Sequence, residues 1–437
     1  MGCPELPHDL TLPIPEPIRV ALVAAAGGLR LALVGGAVRD LLLHRVHRDP
    51  WRGLPDLDLV VEDPARWVPA PLPGAVDAVE ASQAPAAHRL AASLEARDPG
   101  ALGFCRLHGA YGTVELELHG VLLDLATARR ESYPEPGENP LVRAGALEDD
   151  LARRDFSINA MAVLLEPSGP RLLDPHGGLA DLEQRCLRLL HARSVADDPT
   201  RLLRGARYGA RLGFTLEASS QEQVRATLAA WPWRWRHGDP PAQAPPALAT
   251  RLRMELELLL EREPWLRALA LLQQWGALVL LDPALQADRG WRQRIRRAER
   301  LGLPAMVGLV AGAAEPLALA ERLQLPHRQH KLLAQWLRLR QRLLELQPEV
   351  GADGRGWAPS RWAALLEGHG LGAEAVALAL ACGDGPCRPL LRWWLHWRHL
   401  RAPQTAAELV AAGLQPGPAL GERLRQLRAE RLDRERL

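Results

Sequence analysis

The run Pro55-Asp56-Leu57-Asp58-Leu59-Val60-Val61, PDLDLVV, reads as a strand with one difficulty. Alternate side chains of a strand share a face, so Asp56 and Asp58 point one way while Leu57, Leu59 and Val61 point the other. Like charges side by side repel, and a strand beside a core is a costly place for them. Two readings stand open. In one, Pro-Asp-x-Asp is turn chemistry at a strand start, with both carboxylates in water. In the other, a divalent cation lies against them; Mg²⁺ takes oxygen ligands, usually carboxylates together with substrate phosphates.

Working outward, LALVGGAVRDLLL (Leu31–Leu43) is an apolar strand, a Gly35-Gly36 turn and a helix carrying Arg39 and Asp40. Such a junction exposes backbone N–H groups and a helix N-terminus to an anion. Downstream, Asp124 in GVLLDLATARRE is read as ending an apolar strand, with Arg129 following. It either caps the next turn or joins Asp56 and Asp58 in a carboxylate cluster for two-metal phosphoryl or nucleotidyl transfer. Glu115 and Glu117 in TVELEL alternate onto one face and read as the solvated side of an edge strand.

The 437 residues allow two to four domains, and 47% hydrophobic with 24% charged residues is a soluble globular composition. No apolar run reaches the roughly 18 residues of a membrane span. The N-terminus, MGCPELPHDL, lacks a secretory pattern. Five scattered cysteines without a C-x-x-C pair suit a reducing cytoplasm rather than a disulfide framework or a zinc site. The formal net charge of +2 does not announce a nucleic-acid partner, and the arginine excess, with Lys331 the only lysine, fits GC-rich coding.

The first 165 or so residues hold most of the strand-like segments: LALVGG, DLDLVVE, GTVELELHG and VLLDLATA. Beyond Asp174 the pattern turns to Ala/Leu/Arg stretches with helical spacing, predicting helices around 201–212, 248–262, 315–323, 331–346 and 359–365. RHGDPPAQAPPALAT (Arg236–Thr250) is too proline-rich for a regular element. The fold class expected is α+β: a small mixed αβ head followed by an all-helical remainder.

At this point the chain resembles a known family. GGAVRD…DLDLVV, GTVELELHGVLLDLATARRESYPEPG, RRDFSINAMAV and LLDPHGGLADL…ADDPTRLLRGARYGARLGF are similar, in this order and spacing, to class II tRNA nucleotidyltransferases and bacterial poly(A) polymerases, over residues 31 to 214. The resemblance implies a polymerase-β-like head (1–165), a helical neck that selects the base (166–235), a linker (236–250), a helical body (251–350) and an RNA-binding tail (351–437). It implies nucleotide addition to the 3′ end of tRNA or another RNA from ATP or CTP, without a template. No membrane and no obligate protein partner are expected.

Residue by residue, the resemblance gives Gly35, Gly36 and Arg39 to the triphosphate, and Asp56 and Asp58 to Mg²⁺. Asp124 through Arg129 matches a D-x-x-x-x-R stretch associated with the sugar and the catalytic carboxylates. Arg153, Arg154 and Asp155 match R-R-D, with Asn159 in the next turn, and the resemblance gives these, with Arg129, to binding of the nucleotide and its triphosphate. In the neck, Asp197-Asp198-Pro199-Thr200-Arg201 stands where the family carries E-D-x-x-R, and His44 stands where it commonly has Gly. A carboxylate accepting from an exocyclic amine while a guanidinium donates to the ring nitrogen suits cytosine and adenine, and mismatches uracil and guanine. Asp198 and Arg201 are therefore expected to read the base, with Arg204 and Arg207 on the same face. Alternatively, Asp198-Pro199 is an N-cap pair and Asp197 simply pairs with Arg201.

Trp and Arg interleave in WPWRWRHG, HRQHKLLAQWLRLRQR and RWWLHWRHLR, open either as base-stacking faces or as amphipathic helices with Trp in the core. No His-Asp motif lies downstream of His8-Asp9, so the phosphohydrolase domain of some relatives is not seen. Within the family, CCA, CC, A or poly(A) addition share these motifs. A non-catalytic RNA-binding descendant is the competing class, disfavoured by Asp56, Asp58, Asp124 and Arg154 all being present.

Overall fold

The computed structural model describes residues 12–50, 57–66, 84–109, 112–350, 354, 356–368 and 370–435. The chain divides into two compact units, Met1–Arg234 and Trp235–Leu437.

In the first unit α1 (Glu16–Ala26) precedes β1 (Arg30–Val34), and Gly35 turns the chain into α2 (Gly36–Arg45). Then come β2 (Leu57–Glu62), α3 (Ala86–Arg97), β3 (Leu102–His108), β4 (Thr113–Leu118) and β5 (Val121–Thr127). The paired strands β6 (Arg129–Ser132) and β7 (Leu141–Ala144) lead to α4 (Leu147–Ala152), β8 (Ala162–Glu166) and β9 (Gly169–Leu173). The main sheet has the order β3-β4-β5-β2-β1-β8-β9, with β2 and β5 parallel and the other neighbours antiparallel.

Alternation in β2 works as its sequence predicts on one face. Leu57, Leu59 and Val61 are buried and stand in register with Leu123, Leu125 and Thr127 of β5, and α3 packs against both strands with Leu90 and Leu94 buried. The opposite face changes character within two residues. Asp58 is exposed, whereas Val60 is buried in a cluster with Ala32, Val34, Ala162, Leu164 and the α4 residues Leu147 and Leu151. Each such aliphatic side chain contributes about 1.5–3 kcal/mol when fully buried. The carboxylate therefore sits at the rim of a core, held there by a strand that cannot slip without exposing leucines.

Several expectations are corrected. Glu115 and Glu117 lie on β4, which is second from the sheet edge; the edge strand is β3. Asp124 does not end a strand but sits in the middle of β5. Between β2 and β3 the chain carries the well-packed helix α3, with Leu90 and Leu94 buried. The sheet also continues past residue 165 to its edge strand β9.

The neck carries α5 (Gly178–Glu183), α6 (Ser194–Asp197), α7 (Thr200–Leu212) and α8 (Ala218–Ala230). It is not purely helical, because β10 (Cys186–Leu187) pairs in parallel with β11 (Thr215–Leu216). A Cβ on Gly205 of α7 would lie 2.7 Å from the Phe156 ring, so glycine there lets the neck helix close onto the head.

The second unit is helical among its described residues, with helices at Thr250–Arg262, Pro316–Arg322, His327–Val350 and Pro359–Glu367 close to the predicted spans. The proline-rich segment holds two single-turn 3₁₀ helices, Pro241–Gln243 and Pro246–Leu248, each opened by the fixed φ of proline. Ala247 and Leu248 are fully buried, so the segment is packed rather than an open linker. Trp233, Trp235, Trp291, Trp336, Trp362, Trp393 and Trp397 are buried, the core outcome of the two readings.

Arg322 is the polar centre of this unit. Buried at 3% exposure, it donates to the carbonyls of Leu248 and Leu280 at 3.0 Å and of Leu281, and its guanidinium lies 4.4 Å from the Trp235 ring centroid. Burial pushes its pKa down to about 10, which still leaves it charged at neutral pH. Arg322→Leu strands those carbonyls, and at about 1–3 kcal/mol for each unsatisfied group it should lower the thermal midpoint of the protein by many degrees. Differential scanning calorimetry of the variant measures this.

Candidate active site

The parallel register of β2 and β5 sets Asp58 beside Asp124, and the antiparallel register of β5 and β4 sets Asp124 beside Glu115. Adjacent strands lie about 4.8 Å apart, so carboxyl groups of three neighbouring strands form one row on one face. The row fronts a cavity of about 390 Å³ lined also by His108, Arg129, Arg153 and Arg154. Asp56 lies outside the described residues. Among the described residues no group of three or more His, Cys, Asp or Glu side chains converges tightly enough to hold a metal.

The arginines opposite the acids are held by carboxylates of their own. Asp150, fully buried in α4, accepts from Arg153 Nη2 at 2.6 Å and Arg154 Nη2 at 3.0 Å. Glu131 accepts from Arg129 Nε and Arg153 Nη1, both at 3.0 Å, and from the Tyr133 hydroxyl. Asp149 accepts the Ala146 N–H at the start of α4, fixing the short helix that carries this cluster. Burial by itself opposes ionisation of Asp150, but Arg154 and Arg153 outweigh it and keep its carboxyl below the ordinary range.

Gly35 joins the glycine turn to the row. Its backbone has φ +69 and ψ −134, a region that favours glycine. An added Cβ would lie 3.0 Å from Arg154 Nη1 and 3.7 Å from Asp58 Oδ2. Gly36 opens α2, one turn before Arg39. Arg39 is buried at 4% exposure, bonded to Asp40 and, at 2.8 Å, to Asn159 Oδ1. Asn159 donates to Asp155, which also accepts from Arg204 Nε at 3.0 Å and from the Phe156 N–H. Against the cost of burial, Arg204 and these hydrogen bonds hold the Asp155 carboxyl below its usual range. Arg39, Asn159, Asp155 and Arg204 thus form one chain of bonds behind the glycine turn. His44 closes the turn after α2 through the Asp49 carbonyl at 2.9 Å.

In the neck, Asp198 accepts from the Thr200 N–H and hydroxyl, and Arg204 Nη2 lies 3.6 Å from it. Asp198 therefore caps the start of α7. Asp197 pairs with Arg193 at 3.0 Å and not with Arg201. Arg201, 2% exposed, donates to Ser194 Oγ and to the Arg153 carbonyl at 2.8 Å, and meets His191 Nε2 at 3.1 Å. Burial and Arg201 push the His191 pKa down, which suits a neutral ring accepting that N–H. Arg207 is half-buried one turn beyond.

Three residues at this site escape a reading by motif: Asp150, Glu131 and Glu115. Asp150 left a signal, since LEDDLARRD spaces it three and four residues before Arg153 and Arg154 on a helix. Glu115 and Glu131 are placed by the β4–β5 and β6–β7 pairings, whose register the side-chain pattern of a single strand does not contain.

A Gly-Gly turn, carboxylates in register at the centre of a mixed sheet, and arginines above them define a nucleotidyltransferase head. Residues 31–188 match the Poly A polymerase head domain. A CC-adding tRNA nucleotidyltransferase of Deinococcus radiodurans is 34% identical over 91% of this chain and 83% of its own length. An A-adding tRNA nucleotidyltransferase of Halalkalibacterium halodurans is 38% identical over 47% of this chain and 41% of its own length. The chain belongs to the class II tRNA nucleotidyltransferase family and is a nucleotidyltransferase. The fold agrees: a Thermotoga maritima CCA-adding enzyme complexed with tRNA superposes with a TM-score of 0.65 at 23% identity, over 98% of this chain and 94% of that one.

Removing one partner of a buried charge cluster costs about 3–5 kcal/mol, so Asp150→Ala should strongly destabilise the protein in urea titration. Because the folded pKa values of Asp150 and Asp155 are depressed, the stability they give is complete above the unfolded carboxylate pKa of about 4. It is lost as pH falls through the lower folded values. Asp150→Asn should show a shallower loss of stability on acidification than the parent.

Proposed function

We propose that this enzyme adds C and/or A residues from CTP or ATP to the 3′ end of tRNA without a template, with CC addition the favoured form. The observation that carries the chemistry is the side-by-side placement of Asp58 and Asp124 in one cleft with the Gly35 turn and the Arg129–Arg153–Arg154 cluster. CC addition is favoured because the CC-adding relative aligns along 91% of the chain, whereas the A-adding relative aligns over 47%.

Exposed carboxylates of Asp58 and Asp124 offer oxygen donors only, which fits a hard divalent cation such as Mg²⁺, with Asp56 as a further ligand by position in the sequence. When bound there, such an ion supplies a lowered pKa for the RNA 3′-hydroxyl and charge for the triphosphate. The 3′ oxygen bonds to the α-phosphorus as the bond to the bridging oxygen breaks. Pyrophosphate leaves with that electron pair, and the hydroxyl proton passes to solvent. Gly35, Gly36 and Arg154 hold the triphosphate, with Arg129 and Arg153 lining the cleft beside it. Arg39, Asp155 and Asn159 support the turn from behind.

Asp198 and Arg201 read the base, accepting from the exocyclic amine and donating to the ring nitrogen. The Nη groups of Arg201 are engaged by His191, Ser194 and the Arg153 carbonyl, and its buried Nε, which has no hydrogen-bond partner among the described residues, is the donor left for the ring nitrogen. Asp197, Arg204 and Arg207 keep this end of α7 in place. No helix among the described residues is long and apolar enough to cross a membrane. Cys105, Cys186, Cys382 and Cys387 are free thiols, which suits a cytoplasmic location.

The test is incubation with tRNAs ending before CCA, after CC, or complete, with each nucleotide and Mg²⁺. Two C residues added to the shortest substrate is the expected result. Repeated A addition to any RNA marks a poly(A) polymerase, and no incorporation anywhere defeats the reading. Loss of several kcal/mol of charge stabilisation should lower kcat in Asp58→Asn or Asp124→Asn by about a hundredfold or more. Arg201→Ala should relax discrimination against UTP and GTP; unchanged preference removes it as a base reader.

A further inference from the structure

The β3–β4 edge of the sheet carries a set of side chains that the roles above leave unused. β3 bulges between Leu102 and Cys105, so that Gly103 and Phe104 together oppose the single residue Glu117. A Cβ on Gly103 would meet the Glu117 carboxylate, which confirms the face. Alternation then puts Phe104, Arg106 and His108 on the same face as Glu115 and Asp124. Phe104 is 42% exposed, and Arg106 is 69% exposed. Glu115 lies 3.5 Å from both Arg106 and His108, holding the two on the cleft side. His108 Nε2 has no hydrogen-bond partner among the described residues.

Reaction geometry says what belongs there. The Gly35 turn and Arg154 lie on the β1 side of the carboxylate row, and so do Asp155 and the neck contacts to it. Displacement at phosphorus places the attacking and leaving oxygens roughly in line. With the leaving pyrophosphate on the β1 side, the attacking 3′ oxygen arrives from the β4–β3 side. An RNA 3′ end offers base faces and phosphates, and single-stranded binding sites pair an aromatic platform with cations along the backbone.

We infer that Phe104, Arg106 and His108, positioned by Glu115, form the seat of the RNA 3′ end. Phe104 stacks on the base of a terminal nucleotide, and Arg106 with His108 contacts the phosphate that precedes it. The inference rests on the function proposed above, and the experiment separates the two. Full-length enzyme is irradiated with tRNA lacking CCA and bearing 4-thiouridine at its last position, and the cross-linked peptide is mapped. In parallel, kinetics are measured on Phe104→Ala, Phe104→Tyr, Arg106→Glu and Glu115→Gln, each checked for an unchanged melting curve.

Cross-links within residues 102–108 are expected. KM for tRNA should rise about tenfold in Arg106→Glu, which removes a phosphate contact, and in Phe104→Ala, on the scale of about 1–3 kcal/mol for a stacked base. KM for CTP should change less than twofold, and Phe104→Tyr should restore the parent value. The salt dependence of RNA binding should become shallower in Arg106→Glu by about 0.7 in log–log slope. Cross-links elsewhere, together with a parent-like KM for tRNA in folded Arg106→Glu and Phe104→Ala, overturn the seat even if the enzyme is active. Cross-links at this strand in a protein that incorporates no nucleotide uphold the seat and defeat the function instead.

Discussion

Like charges on adjacent strands repel, and the head is arranged around that repulsion. Asp58 and Asp124 are held side by side by a parallel register that buried leucines on the reverse face enforce. A slip of one residue would relieve the charges and turn those leucines into water. The apolar core thus fixes two carboxylates side by side, and a site with that oxygen-rich character suits a hard cation. The arginines opposite offer donors to an anion.

Those arginines would be poorly placed without acids behind them. Long cationic side chains near a carboxylate row would fold onto it if nothing else claimed their donors. Asp150 and Glu131 make that claim from the far side, leaving the guanidinium planes fixed between two sets of negative charge. The same device recurs behind the glycine turn, where Asp155 ties Asn159 and Arg204 together. The bond from Arg201 to the Arg153 carbonyl joins the start of α7 to the arginine cluster at the cleft. The geometries of the two are therefore not independent within this unit.

The parts of this design that are local were legible. The strands, the glycine turn, the exposed face of Asp58 and the helices of the second unit follow from period and turn residues, and their placement agrees with the structure. What depends on strand register and sheet position was not. Glu115 looks like the wet side of an edge strand until β3 is laid outside it, at which point it becomes the neighbour of Asp124. Asp124 seemed to end a strand because the continuous apolar run Val121–Leu123 stops there, whereas β5 continues to Thr127. Arg201 carries a family motif, yet only the fold places its guanidinium against His191, Ser194 and a main-chain carbonyl. The tryptophans admitted two readings because a core face and a stacking face share the same helical spacing.

One small feature has reach beyond its size. β4 and β5 are joined by His119 and Gly120 alone, both at positive φ, the tight connection whose twist suits paired strands. That two-residue corner is the ruler for the acidic row: it alone decides how far Glu115 stands from Asp124. A single residue gained there would rotate every β4 side chain to the other side of the sheet. A change of length between β2 and α3 lies outside that hairpin and leaves the ruler undisturbed.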